Sequence, residues 1–143
     1  MSKSNYLENA VLGLLYNGTA IPGLAENHST SPATTLHIAL HTADPGEAGA
    51  QSTNEVTYTS YARAQVGRNG DDLIVTDSSV SPAGLVSWPQ CTGPSDDMTA
   101  THWSIGPASS GATPIMHKGL LDPPIRILLN VTPQMTSATI TED

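Results

Sequence analysis

Thr35-Leu36-His37-Ile38-Ala39-Leu40-His41, closed by Thr42-Ala43-Asp44-Pro45-Gly46, decides how the rest of the chain is read. Leu36, Ile38 and Leu40 alternate with His37, Ala39 and His41, and period-two alternation marks a strand with one apolar face. The pattern predicts a half-buried strand, ended by the turn chemistry of Asp44-Pro45-Gly46 and followed by a polar surface loop over 44–54. Working outward, further strand candidates recur near residues 55–66, 72–77, 84–88, 99–105, 113–120, 124–131 and 136–141. Asn69-Gly70-Asp71-Asp72 separates the first two, and Asp122-Pro123-Pro124 reads as a turn between two later ones. About eight short strands joined by frequent turns predict a mainly β fold, an antiparallel β-sandwich or jelly roll.

One segment breaks the pattern. Leu7, Ala10, Val11, Leu14 and Leu15 recur at helical spacing, with Ser2 or Ser4 as N-cap and Asn17-Gly18 as stop signal. The sequence therefore predicts an N-terminal α-helix over 1–18, a loop over 19–34 and a β-sandwich over 35–143, organised as a single domain. The helix stripe is expected to pack on the body of the protein or to dock on a neighbouring subunit. Leu7, Val11 and Leu14 on the helix, with Ile21, Pro22 and Leu24 in the loop, are the candidate contact residues.

Composition narrows the classes of function. The chain has 143 residues, long enough to bury a core without covalent staples. It carries 13 acidic and 5 basic residues, a net charge of −8. A nucleic-acid groove is built from Lys and Arg, and an anionic membrane repels an acidic chain, so neither partner is expected. One cysteine, Cys91, excludes an internal disulfide and a cysteine-based zinc site. There is no apolar run of about 20 residues for crossing a bilayer. The first residues do not make a secretory signal, because Glu8 and Asn9 interrupt the apolar stretch. The 32 Ser and Thr residues and 23 Gly and Pro residues suit short strands and many turns.

No catalytic constellation assembles from motifs. On a strand, His37 and His41 lie roughly 13 Å apart and cannot grip one metal ion. His102 and His117 fall on separate strand candidates without a supporting carboxylate motif, so the histidines are expected to be solvated or to lie at interfaces. Asp71-Asp72 and Asp96-Asp97 sit in predicted turns, and adjacent strand residues point to opposite faces, which does not suit a cooperating acid pair. Ser104 has no nucleophile elbow and no acid partner. Gly106-Pro107-Ala108-Ser109-Ser110-Gly111 lacks the free donors and terminal lysine of a phosphate loop. Cys91 reads as a structural thiol. Neither an enzyme nor a cofactor or metal site is expected. Trp88 and Trp103 are the largest apolar anchors, and with Tyr58 and Tyr61 they would stack on sugar rings if exposed together.

The order of motifs carries a resemblance. Ser4-Asn5-Tyr6-Leu7-Glu8-Asn9-Ala10 opens the chain; Thr35 to Pro45, Ser60-Tyr61-Ala62-Arg63 and Ala100-Thr101-His102-Trp103-Ser104-Ile105 follow, with Thr139-Ile140-Thr141 near the end. This succession resembles a family of small tailed-bacteriophage proteins commonly labelled tail fibre proteins. It departs from the family pattern at Trp103 and Ser104, where a Phe and a Gly are usual, and in a longer loop from Ile21 to Pro32. The resemblance implies a non-enzymatic virion protein. A long fibre shaft needs repeats or heptads, and the chain has neither. The expectation is therefore a capsid decoration (cement) protein on the outer shell. Its partners would be the major capsid protein and copies of itself; a tail-fibre or baseplate component and a receptor- or sugar-binding module are the alternatives.

Overall fold

A computed structural model describes residues 4–21, 25 and 32–141, and the deciding stretch is indeed a strand. β1 (Thr35–His41) pairs antiparallel with β6 (Asp97–Gly106), placing Ile38 opposite Ile105 and Leu40 opposite Trp103. They are the middle strands of a sheet ordered β2 (Ala64–Gly67), β1, β6, β7 (His117–Leu128). The remaining strands are β3 (Leu73–Thr76), β4 (Ser79–Pro82), β5 (Val86–Ser87), β8 (Gln134–Met135) and β9 (Ile140–Thr141). The fold is mainly β, its sheets antiparallel, with one helix, α1 (Asn5–Asn17).

Two readings of the strands are corrected. β1 is buried on both faces rather than one: every residue from Leu36 to His41 is buried. Its polar side can be buried because other polar groups meet it there, chiefly Gln51 and Ser104. The predicted turn at Asp122-Pro123-Pro124 lies inside β7, which runs through it. The register steps from Ala100 opposite Ile125 to His102 opposite Leu120, so β7 bulges out around the two prolines. Proline has no N–H for the ladder, and a bulge on an edge strand is where a sheet tolerates it.

β4 was not foreseen. Ser79-Val80-Ser81-Pro82 holds one aliphatic residue and a proline, too little for an alternation signal. Asp77, at φ 51°, turns the chain so that Thr76 pairs with Ser79. Asp tolerates that left-handed conformation, as two-residue hairpins require. The candidate at 136–141 shortens to β9, and β8 lies just before it in a different sheet.

The chain divides into two compact units. One comprises Met1–Thr35, Val66–Leu85 and Ser137–Asp143. Here α1 packs on the β3-β4-β9 sheet, with Leu12, Tyr16, Leu73, Val80 and Ile140 buried. Ser4 caps the helix by accepting from the Leu7 amide at 3.3 Å. Gly18, at φ 67°, ends it, and the Thr19 amide reaches back to the Gly13 carbonyl at 3.0 Å. Arg68 donates to the carbonyls of Leu14 and Leu15, a cation placed at the negative end of the helix dipole.

The other unit comprises Leu36–Gln65 and Val86–Thr136. Trp88 is its largest fully buried side chain, and its indole N–H donates to the Ile38 carbonyl at 3.0 Å. The β5-β8 ribbon flanks it in sequence, pairing Val86 with Met135. Each large apolar side chain buried this way contributes about 1.5–3 kcal/mol.

Candidate functional site

Three basic or imidazole side chains of the second unit are buried, and their partners set the local chemistry. Arg63 is the centre. Its Nε donates to Glu55 Oε1 at 2.7 Å and its Nη2 to Oε2 at 2.8 Å. Nη1 donates to Gln51 Oε1, Thr113 Oγ1 and the Ala108 carbonyl, and Nη2 also donates to the Gly111 carbonyl at 2.8 Å. All five guanidinium N–H groups are occupied, leaving none for an external anion. Arg63 instead fastens the 107–113 loop to Gln51 and Glu55. The sequence offered one signal for this: Tyr61 and Arg63 alternate along an extended segment, and both turn inward to Glu55.

Tyr61 and Glu55 complete the centre. The Tyr61 hydroxyl accepts from the Leu40 amide at 3.1 Å and donates to Glu55 Oε1 at 2.9 Å. Burial pushes the Tyr61 and Tyr58 hydroxyls far above the usual tyrosine range, so both remain neutral. Their rings meet edge to face, 5.2 Å apart.

The histidines of β1 are corrected from solvated to buried. His41 is fully inaccessible; its Nδ1 lies 2.8 Å from the Thr53 carbonyl and its Nε2 lies 2.7 Å from Ser104 Oγ. A carbonyl can only accept, so Nδ1 carries the proton and Nε2 accepts from the serine. Ser104 is diagonal to His41 across the β1-β6 ladder, a proximity that sequence spacing concealed. The pair resembles a hydrolytic dyad in outline, but a carbonyl occupies the acid's place and no solvent reaches either group. His37 keeps Nδ1 without a hydrogen-bond partner, although the Pro107 carbonyl lies close enough to favour its protonated form. Burial lowers the pKa of both imidazoles, and nearby Arg63 lowers them further. Among the described residues, no three His, Cys, Asp or Glu side chains could hold a metal together.

Beside this centre lies an open groove of about 580 Å³. Its walls include Ser52, Thr57, Tyr61, Ser109, Ser110 and Gly111, over a floor containing Glu55 and Arg63. The expected sugar-stacking quartet does not form. Trp88, Trp103 and Tyr58 are buried to 2%, 5% and 2% exposure; Tyr58 and Tyr61 both border this groove, and of the four only Tyr61 is half-buried rather than buried.

The contact candidates separate. Leu7 is 38% exposed, while Val11 and Leu14 are half-buried. The packed line of α1 is Glu8, Leu12 and Tyr16, centred roughly 130° around the axis from them at about 100° per residue. Ile21 is buried and bridges to Ala25; Pro22 and Leu24 lie outside the described residues. No helix of the described residues is long and apolar enough to cross a membrane.

The chain is mainly β, and its buried Arg63, His41, Gln51 and Ser104 side chains are held in hydrogen-bond networks within the fold. The family profile of the podophage GP4 fiber I protein gp80 matches residues 2–126, and the chain belongs to that family of phage structural, fibre-type proteins. No curated protein matches it.

Proposed function

We propose that the chain is a capsid decoration protein, which seats on the outer shell through the outward face of α1 and reinforces the joints between capsid subunits. It does no chemistry of its own. Its partners are the major capsid protein and further copies of itself in a closed ring. The observation that supports this reading is the distribution of exposed apolar side chains. Tyr6, Leu7, Leu15, Ile74 and Leu85 all belong to the unit containing α1, while Leu120 and Leu129 are the other large ones among the described residues. The helix carries one charged residue, Glu8, and that one is buried. A surface helix normally turns a charged face to water, and an uncharged one is suited to a partner.

Quantitative mass spectrometry of purified virions tests the location. Copies comparable to the major capsid protein support the shell. A handful of copies overturns it in favour of a fibre or baseplate component, the second reading, which draws on the family's fibre description. Absence from the particle overturns both.

A further inference from the structure

We propose that the groove beside Arg63 binds neutral saccharides, a property separate from how the chain is seated on the particle. Three observations carry it. First, the groove is preorganised. Arg63 ties the Ala108 and Gly111 carbonyls, so the intervening Ser109 and Ser110 are held as one wall by a side chain that is itself 1% exposed. A wall fixed before binding loses little conformational freedom when a ligand arrives.

Second, the lining has hydroxyl chemistry without free charge. Ser52, Thr57, Ser109 and Ser110 are exposed, and their hydroxyls make no hydrogen bond among the described residues. Each can donate and accept. The guanidinium is saturated, and Glu55 is matched to it, with Oε2 accepting from Arg63 alone. That oxygen retains room for a ligand donor. A ligand dense in hydroxyls fits such a lining. An anion finds no unoccupied cation there and meets a chain of net charge −8.

Third, the groove has a saccharide's size and a little apolar surface. Its 580 Å³ is within the range of small-molecule sites. The half-buried Tyr61 ring and the exposed Ala62 methyl offer the C–H face of a sugar ring a place to rest. None of the lining residues lies in β1 to β9, so no strand edge is available for an extended peptide. With one partly exposed aromatic, each site binds weakly, with Kd on the order of 1 mM. Many copies on one particle would raise the avidity by roughly 10²–10⁴; that gain alone rests on the virion reading.

The test uses the whole chain, labelled for amide NMR and titrated with three neutral probes: maltohexaose, chitotetraose and a β-galacto-oligosaccharide. Oligogalacturonate is the anionic control. At least one neutral probe is expected to shift amides of 52–63 and 109–111 in a saturable way, and the anionic one is not. A Thr57→Ala/Ser109→Ala/Ser110→Ala variant changes only exposed hydroxyls and should retain a dispersed spectrum while binding at least about tenfold more weakly. The proposal is overturned if no neutral probe shifts these amides, if the variant binds as well as the parent, or if oligogalacturonate binds equally.

Discussion

The Arg63 guanidinium and the Glu55 carboxylate form a two-pronged ion pair, Nε to Oε1 at 2.7 Å and Nη2 to Oε2 at 2.8 Å, with the arginine side chain 1% exposed. Removing one member of a buried pair leaves the other charge uncompensated, which costs about 3–5 kcal/mol. Arg63→Ala also frees the Ala108 and Gly111 carbonyls, so its loss should lie at the upper end. Arg63→Lys keeps the charge but not the planar fork, and should recover less than half of the stability. Urea-unfolding midpoints measure both. Amide exchange should speed up first at Thr113, whose amide holds the Gly111 carbonyl.

His37 and His41 make stability depend on pH. Burial holds both below the ordinary histidine value of 6.5 in the folded chain. The unfolded chain therefore takes up protons first as pH falls, and stability follows the state that binds fewer. The stabilisation is complete above 6.5 and is lost progressively as pH falls below it toward the folded values. Protonating His41 removes the acceptor for Ser104 and places a charge near Arg63. Urea midpoints should fall steadily between about pH 7 and about pH 5. A flat profile over that window would show that these imidazoles titrate as in the unfolded chain.

The pH behaviour also shows where sequence reading stops. Alternation in Leu36 to His41 identified a strand correctly, because side chains along a strand must alternate faces. It could not say whether the second face met water, since that depends on what Gln51, Arg63 and Ser104 do many residues away. β7 failed for a local reason: Pro-Pro is a turn signal unless the strand itself bulges around it, and only pairing with its neighbour reveals the bulge. The Arg63 centre was hidden because its partners come from residues 51, 55, 108, 111 and 113, joined by loop paths with no periodicity.

The two faces of α1 should respond differently to substitution. Leu12 is fully buried, so Leu12→Ala opens a cavity and should cost about 2–5 kcal/mol. Leu7 is 38% exposed, so Leu7→Ser should stay within about 1 kcal/mol in the isolated chain. The same Leu7→Ser change is expected to weaken attachment to purified shells if the outward face docks. Thermal unfolding gives the first comparison and co-sedimentation with shells the second. Equal stability losses at the two positions would mean that the packed line is not Glu8, Leu12 and Tyr16.

Gly119 is small because of Trp103, its partner across the β6-β7 ladder. A Cβ at Gly119 would sit 2.7 Å from the indole Nε1 and 2.8 Å from Cε2, closer than atoms can rest. Trp103 is 5% exposed and Leu40 lies opposite it on β1, so the ring has little freedom to retreat. Gly119→Ala should therefore cost about 1–3 kcal/mol, as overpacking does. Gly84→Ala is the control: nothing lies within 4 Å of its Cβ, and the change should be neutral or stabilise by about 0.4–1 kcal/mol. A double-mutant cycle with Trp103→Leu then separates the contact from any backbone effect. If the clash is the cause, Gly119→Ala loses most of its effect in the leucine background. An undiminished loss there would place the cause in the β7 backbone rather than in the tryptophan.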